Sequence, residues 1–531
     1  MSERLYLFDT TLRDGAQTAG IDFALEDKIL ISGLLDELGL DYVEGGYPGA
    51  NPMDSRLFEK KRTKSAKFTA FGMIKRAGVS LSNDPGFRAL LDASADAICF
   101  VAKSWDYHVR VALGISEAEN LDAVRQSVKA AIEAGREVLV DCEHFFDGFK
   151  SNPAYALDCA KAAFDSGARW VVLCDTNGGT LPEEVEAIVA AVAKTIPGEN
   201  LGIHAHNDTE QAVANSLAAI RAGARQIQGT LNGIGERCGN ANLTSLIPTL
   251  LLKPAYASRF TTGISLDALA GLTKLAHRFD EIVNRAPNRQ AAYVGGSAFT
   301  TKAGIHASAI FKDPRTYEHV PPESVGNRRQ VLVSDQGGKA NLMAELARLG
   351  LAVEKGDRRL EDILSQIKER EAVGYSYESA DASFEILARK CLGTVPDYFD
   401  VESFHVTVER RHNTLGKLVS VSEAVVKLRV AGELLLTVAE GNGPVNALDK
   451  ALRKDLGVYR EAIADLELVD YKVRILNGGT EAVTRVLIES TDASGASWFT
   501  VGVSENVVDA SFEALNDSIV YKLIKSGVKA A

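Results

Sequence analysis

Arg13 and Asp14 stand side by side in the run FDTTLRDGAQ, residues 8–17. An acid beside a base in a glycine-closed loop can hold a divalent cation and a carboxylate-bearing substrate together. The same pair can also be a surface ion pair in a turn, so the rest of the chain must decide. A second polar cluster is HAHND, His204 to Asp208. On a strand, residues i and i+2 share a face. His204 and His206 therefore aim together, with α-carbons about 7 Å apart, and two imidazoles so placed can meet on one metal ion. A third cluster, GTLNGIGERCGNAN (229–242), sets Glu236, Arg237 and Asn240 in a glycine-rich loop.

These clusters need elements to bring them together. The first part of the chain alternates short apolar runs with amphipathic helical stretches. Strands are predicted at Leu5–Asp9, Tyr42–Gly45, Lys67–Phe71, Ala97–Ala102, Glu137–Asp141, Trp170–Cys174, Leu201–His204 and Arg225–Gly229. Helices are predicted between them, among them Leu25–Leu38, Glu117–Ala134, Pro153–Ser166, Pro182–Lys194 and Glu210–Ala222, several stopped by Gly-Ala or Gly-Leu. Eight such units fit a (β/α)8 TIM barrel better than an open Rossmann sheet. No G-x-G-x-x-G follows the first strand, which also speaks against a dinucleotide fold.

In a barrel of this kind the C-terminal strand ends share one mouth, where active sites sit. Arg13 and Asp14 follow the first strand and Glu44 ends the second. Glu143 and His144 follow the fifth, Asp175, Thr176 and Asn177 the sixth, and His204 and His206 end the seventh. The loop carrying Asn240 follows the eighth. Two histidines, an aspartate and an amide oxygen make a mixed N/O set suited to Zn2+, Mn2+ or Mg2+, and the sequence does not choose among them.

The composition bounds the alternatives. The chain has 531 residues, 46% hydrophobic and 24% charged, with net charge −12. The negative charge argues against a general nucleic-acid or anionic-membrane surface. No run of 18 apolar residues occurs and the N-terminus lacks an apolar signal core, so a cytoplasmic chain is expected. None of the six cysteines forms a C-x-x-C pair. Cys99, Cys142 and Cys174 fall in apolar strands and read as buried thiols of a reducing compartment.

After about residue 275 the pattern changes. Three regions are expected: a TIM-barrel catalytic domain over 1–275, linker subdomains over 276–395, and an α+β regulatory domain over 396–531. Residues 276–330 read as irregular and 339–390 as helical. Strands are predicted at Ser403–Val408, Glu423–Val430, Glu433–Val438, Asp470–Ile475, Ala482–Glu489 and Ser497–Val503. TVAEGNGPVNALDKAL (437–452) aligns with TVGVSENVVDASFEAL (500–515) at six identical positions of 16. Each reads as a strand end, a polar turn and a helix start, which is a duplicated strand–helix unit. A duplicated module away from a barrel suits regulation or dimerisation.

FDTTLRDGAQ, HAHND and NGIGERCGNANL together resemble the acyltransferases that condense acetyl-CoA with a 2-oxo acid, the 2-isopropylmalate synthase and homocitrate synthase family. The resemblance extends to AGIHASAIFKDPRTYEHVPPESVGNRR (303–329) and to the C-terminal duplication, so it spans nearly the whole chain. EDKILISGLLDELGLDYVEGGYPGANPMD (26–54) and HFFDGFKSNP (144–153) look like the citramalate branch, which takes pyruvate and feeds isoleucine synthesis. The rest of the family prefers larger 2-oxo acids.

The resemblance implies roles. Asp14, His204, His206 and Asn240 would bind the divalent metal. Arg13 would polarise the 2-oxo group and stabilise the alkoxide, and Thr176 would hold the substrate carboxylate. Glu44 would stand on the substrate side or support Arg13. Glu143 would do acid–base work at the acetyl group. His306 and Tyr317, from the linker region, would assist proton transfer or thioester hydrolysis, often at a partner subunit's barrel. Acetyl-CoA and pyruvate are the implied substrates, isoleucine the effector and a homodimer the assembly. Phe100 and Phe145 are expected to wall the 2-oxo acid pocket. Cys238 lies in the synthase-type loop GERCGN, where related lyases carry a working cysteine in Gly-Gly-Cys-Pro, and it reads as filler. A lyase or aldolase on the same barrel and a non-catalytic amino-acid sensor are the rival readings.

Overall fold

The computed structural model describes residues 2–59, 63–302, 304–331, 339–351, 353–354, 356–377, 380–412, 414–476 and 482–531. The chain forms two compact units, Met1–Phe299 with Glu318–Arg329, and Thr300–Tyr317 with Gln330–Ala531. Among the described residues no helix is long and apolar enough to cross a membrane.

The first unit is a closed eight-stranded barrel. Its strands are β1 (Tyr6–Asp9), β2 (Tyr42–Gly46), β3 (Lys67–Met73), β4 (Ala97–Lys103), β5 (Glu137–Glu143), β6 (Trp170–Asp175), β7 (Leu201–Ala205) and β8 (Gln226–Gly229). All neighbours are parallel, and β8 closes on β1 with Tyr6 opposite Gln226 and Asp9 opposite Gly229. The predicted strands are all present and several run one or two residues further. The extensions carry Lys103, Glu143 and Asp175 to the mouth as the last residues of their strands.

Strand pleat sorts the barrel into two cores. Inward positions such as Phe8, Tyr42, Cys99, Leu139, Trp170, Val172 and Cys174 pack with each other inside it. Outward positions such as Val43, Ile98, Phe100, Val140 and Leu173 pack under the helices. The floor is closed by a polar chain, Trp170 Nε1 donating to Tyr42 Oη at 3.0 Å and Tyr42 Oη to Glu137 at 2.6 Å.

The helices begin and end where local chemistry says they should. In α1 (Leu25–Leu38) the Asp27 carboxylate accepts from Ala24 N, and Gly39 ends the helix in the left-handed region at φ 97°. A Cβ there would sit 3.0 Å from the Gly263 carbonyl, so the turn also needs the bare backbone. In α2 (Glu117–Glu133), Ser116 and Glu119 form a reciprocal capping box. In α3 (Pro153–Asp165) Pro153 opens the helix and Asn152 accepts from Tyr155 N. Pro182 likewise opens α4 (Pro182–Val192), and α5 (Ala212–Ala222) ends at Gly223.

The stretch expected to be irregular holds two helices, Leu272–Ile282 and Gly304–Lys312. Leu272, Leu275, Ala276 and Phe279 are spaced i, i+3, i+4, i+7 and all are buried, which is an amphipathic signal masked by its short length. The helical expectation for 339–390 is met by Lys339–Arg348, Arg359–Ala372 and α6 (Asp381–Leu392). Residues 352, 355 and 378–379 of that stretch lie outside the described residues.

The second unit ends in two three-stranded antiparallel sheets. One is β9 (Phe399–His412), β10 (Leu418–Val430) and β11 (Glu433–Gly441), followed by α7 (Pro444–Lys454). The other is β12 (Glu467–Ile475), β13 (Thr484–Thr491) and β14 (Ser497–Ser504), followed by α8 (Val507–Lys525). The duplication is therefore structural. Thr437 in β11 donates to Ala451 O in α7 at 2.8 Å, and Thr500 in β14 donates to Ala514 O in α8 at 2.8 Å. These residues occupy matching places in the two aligned segments.

Candidate active site

The barrel mouth opens onto a cavity of about 570 Å3. Its wall holds Arg13, Asp14, Glu143, Thr176, His204 and His206, contributed by four different strand ends. Asp14, His204 and His206 converge. His204 Nε2 lies 3.3 Å from Asp14 Oδ2 and 3.3 Å from His206 Nε2, and His206 Nε2 lies 3.7 Å from Asp14 Oδ2. All three residues are buried. The H-x-H spacing achieves this because His204 is the penultimate residue of β7 and His206 the first beyond it, with both side chains inward.

The donor set fits a divalent cation on several counts. Asp14 Oδ1, His206 Nδ1 and Asn240 Oδ1 are buried without a hydrogen-bond partner, which is costly unless something else meets them. Asn240 is brought beside His206 by an antiparallel backbone bridge, and its Nδ2 donates to Ile234 O, leaving Oδ1 free to point elsewhere. Burial alone would raise the Asp14 carboxyl, but Arg13, then His204 and His206, hold it well below the usual carboxylate range. Burial and the neighbouring His204 push His206 down to about 4, so its imidazole is neutral at physiological pH. Burial also opposes a proton on His204, yet Asp14 outweighs it and the group is raised. The raised His204 beside the ionised Asp14 marks a place that favours positive charge.

Arg13 is held rigidly beside this cluster. Its Nε donates to Glu44 Oε2 at 2.8 Å, its Nη1 lies 3.4 Å from Asp14 Oδ2, and its guanidinium stacks over Phe71 at 3.9 Å. Glu44 is fully buried behind Arg13, also accepts from Thr10 Oγ1 at 2.5 Å, and does not face the cavity. Thr176 Oγ1 accepts from His144 N at 2.8 Å, which leaves its own proton available. Arg237 braces the same loop. It adopts φ 56°, pairs with Asp208 through two hydrogen bonds and donates to Thr176 O at 2.7 Å.

Glu143 ends β5 and is ion-paired with Lys103, the last residue of β4. Lys103 went unnoticed in the sequence because it closes an apolar run, ICFVAK. A charge at the end of a barrel strand was the signal that could have found it. Gln228, inside the barrel on β8, was also missed, although QIQ puts two glutamines on the inward face of a strand.

His306 and Tyr317 belong to the second unit, where their rings meet at a tilt of 31° with centroids 4.2 Å apart. Cys99, Cys142 and Cys174 are buried as expected, and Cys238 is exposed.

One expectation is overturned. Phe100 and Phe145 do not wall the cavity. Phe100 is an outward position of β4, stacked on Phe87 at 5.7 Å, and Phe145 is buried in the outer core. Its strand neighbour Val101 points in instead, because pleat alternates the faces. The apolar wall is Leu12, Tyr47, Phe71, Met73 and Val101.

Residues 4–275 match the family described as HMGL-like. Residues 293–374 match the homocitrate synthase post-HMGL domain-like family, and residues 378–523 the LeuA allosteric (dimerisation) domain. An (R)-citramalate synthase of Aquifex aeolicus is 48% identical over 530 residues, 99% of each chain. The chain belongs to the HMGL-like family. Another (R)-citramalate synthase, from Geobacter sulfurreducens, is 48% identical over 98% of each chain. A 2-isopropylmalate synthase of Methanocaldococcus jannaschii is 31% identical over 97% of this chain and 94% of its own. This HMGL-like chain, which matches the LeuA domain after its barrel, is thus an enzyme, an acetyl-CoA-dependent acyltransferase.

Proposed function

We propose that the enzyme condenses acetyl-CoA with pyruvate and hydrolyses the resulting thioester, releasing (R)-citramalate and CoA. The observation that carries this reading is the near full-length likeness to relatives named (R)-citramalate synthase, at 48% identity. The cavity supports it, because its apolar wall beside the charged cluster suits a small 2-oxo acid.

Asp14, His204 and His206, with Asn240 beside them, would hold a divalent ion, which supplies Lewis-acid polarisation of the 2-oxo group. Arg13, fixed by Glu44 and Phe71, neutralises the charge that develops on the 2-oxo oxygen. Thr176 Oγ1, whose lone pair is occupied by His144 N, donates to the pyruvate carboxylate. Glu143 takes the proton from the acetyl methyl group, and Lys103 offsets the charge that Glu143 carries beforehand. His306 and Tyr317, whose rings contact each other in the second unit, would assist proton transfer or thioester hydrolysis.

The same reading assigns 1–275 to catalysis, 276–395 to a linker and 396–531 to regulation, in a cytoplasmic homodimer inhibited by isoleucine. The LeuA match supports both the dimer and the effector role. Unchanged CoA release and unchanged melting in saturating isoleucine would count against the effector.

The decisive experiment is thiol release from acetyl-CoA across pyruvate, 2-oxoisovalerate and 2-oxoglutarate, repeated after metal stripping. Pyruvate is expected to be strongly preferred and metal stripping to abolish release. Preference for 2-oxoisovalerate would move the chain to the isopropylmalate branch. Cleavage of citramalyl-CoA without condensation would make it a lyase.

A further inference from the structure

We propose that Gln228 and Asp141 are positioning residues that select the tautomer of His204 and so make its Nε2 a ligand, an inference that rests on reading Asp14, His204 and His206 as a metal set. Asp141 is an inward residue of β5, Gln228 an inward residue of β8 and His204 an inward residue of β7. They form a continuous hydrogen-bonded chain across the barrel interior. Gln228 Nε2 donates to Asp141 Oδ1 at 2.9 Å, and Gln228 Oε1 lies 2.8 Å from His204 Nδ1. Gln228 is fully buried, and Asp141 and His204 are buried beside it.

The direction of the chain follows from its first member. Burial raises the Asp141 carboxyl, but His204, Arg13, Cys99 and Gln228 favour its ionised form, which only accepts and so fits the Gln228 NH2 turned toward it. Cys99 adds a second donor to the same carboxylate, since burial holds its thiol protonated. With its NH2 committed, Gln228 can offer His204 only the carbonyl oxygen. His204 Nδ1 must then carry a proton, so Nε2, the atom that faces Asp14 and His206, is the nitrogen left to ligate a metal that displaces any proton there. Were the amide reversed, Nδ1 would accept and Nε2 would carry the proton into the centre of the cluster. Outer groups of this kind orient ligand histidines in metal sites generally. His206 has no such partner, because its Nδ1 is buried and unpaired. Order at the cluster therefore comes from His204.

The test uses the full-length chain stripped of metal. Wild type, Gln228→Leu and Gln228→Glu are titrated with Mn2+, followed by the electron paramagnetic resonance of the free ion, and with Zn2+ against a chromophoric chelator. Circular dichroism and thermal melting confirm the fold. Glutamate at 228 still accepts from Nδ1–H and shares a proton with Asp141, so its affinity should stay within several-fold of wild type. Leucine removes the acceptor, and affinity should fall by about 10- to 100-fold. Wild-type affinity in Gln228→Leu overturns the proposal. Equal losses in both variants also overturn it, since shape rather than tautomer choice would then be at stake. Failure of the wild type to bind either ion overturns the reading of the metal set, and this is visible before any variant is compared.

Discussion

The two units differ in where they keep unpaired buried polar atoms. At the barrel mouth, Asp14 Oδ1, His206 Nδ1 and Asn240 Oδ1 are buried, close together and unpaired. Among the described residues of the second unit, the unpaired buried atoms are Tyr377 Oη and Arg453 Nε, which stand apart in the chain, and several charged groups are paired. Lys522 reaches Asp465 at 3.0 Å and Asp492 at 2.9 Å, and Ser383 donates to Asp517 at 2.8 Å. Thr437 and Thr500 each meet a helix carbonyl. Unmet buried polar atoms cost stability, so a cluster of them at a barrel mouth points to a ligand, ion or water that meets them. Matched ones return stability and ask for nothing further. The contrast separates a region organised for chemistry from one organised for a fixed shape.

The largest test removes the convergence itself. Asp14→Asn and His204→Ala should each lower CoA release at least about a thousand-fold, the scale expected when charge stabilisation at the reacting carbonyl is lost. Each change also removes an ion pair among Arg13, Asp14 and His204, so melting temperatures should fall modestly while turnover falls far more. A large loss of stability with little loss of turnover would erase the distinction between the units.

Glu143→Gln sharpens the comparison within the barrel. Its kcat should fall by about 100- to 10,000-fold while KM for pyruvate changes little, as for a general base that acts after binding. A pure KM effect in steady-state kinetics would assign Glu143 to holding substrate instead.

Asp517 carries the comparison into the second unit. Burial pushes its carboxyl from 3.8 up to about 6, against the pull of Lys390 and Ser383. Below about pH 3 the group is protonated both folded and unfolded. Between pH 4 and 6 the unfolded chain ionises first, so stability falls as pH rises, by about 2–3 kcal/mol in all, and then levels off. Asp517→Asn still accepts from Ser383 and escapes this loss. Its melting temperature should exceed that of wild type at pH 8, and the gap should close as pH falls to about 3, below both values. A gap that persists at about pH 3 would show that ionisation is not its cause.

The smallest effect tests the duplication. Thr437→Val and Thr500→Val each delete one buried hydrogen bond to an equivalent carbonyl, and each should cost about 1 kcal/mol in denaturant unfolding. Markedly unequal costs would mean that the two sheet–helix units have diverged in packing although they match in outline.

Much of this was legible beforehand. Strand positions came from apolar runs bounded by turn residues, and Asp14, His204, His206 and Asn240 from polar residues placed just past them. Inside the barrel legibility fell. Glu44 sits at a strand end like the others, but its carboxylate turns back onto Arg13 and Thr10. Phe100 and Val101 are adjacent and equally apolar, and only the pleat decides which one meets the cavity.

The sequence by itself determined the barrel, the duplicated sheets and the inventory of donors, because hydrophobic period, capping residues and strand-end chemistry are local properties. Which donors meet was decided by tertiary structure alone. Asp141, His204 and Gln228 are far apart in the chain, and closure of β8 onto β1 completes the ring of strands that holds them face to face. A hydrogen-bond chain across a barrel depends on the register of several strands at once, and no single stretch of residues encodes it.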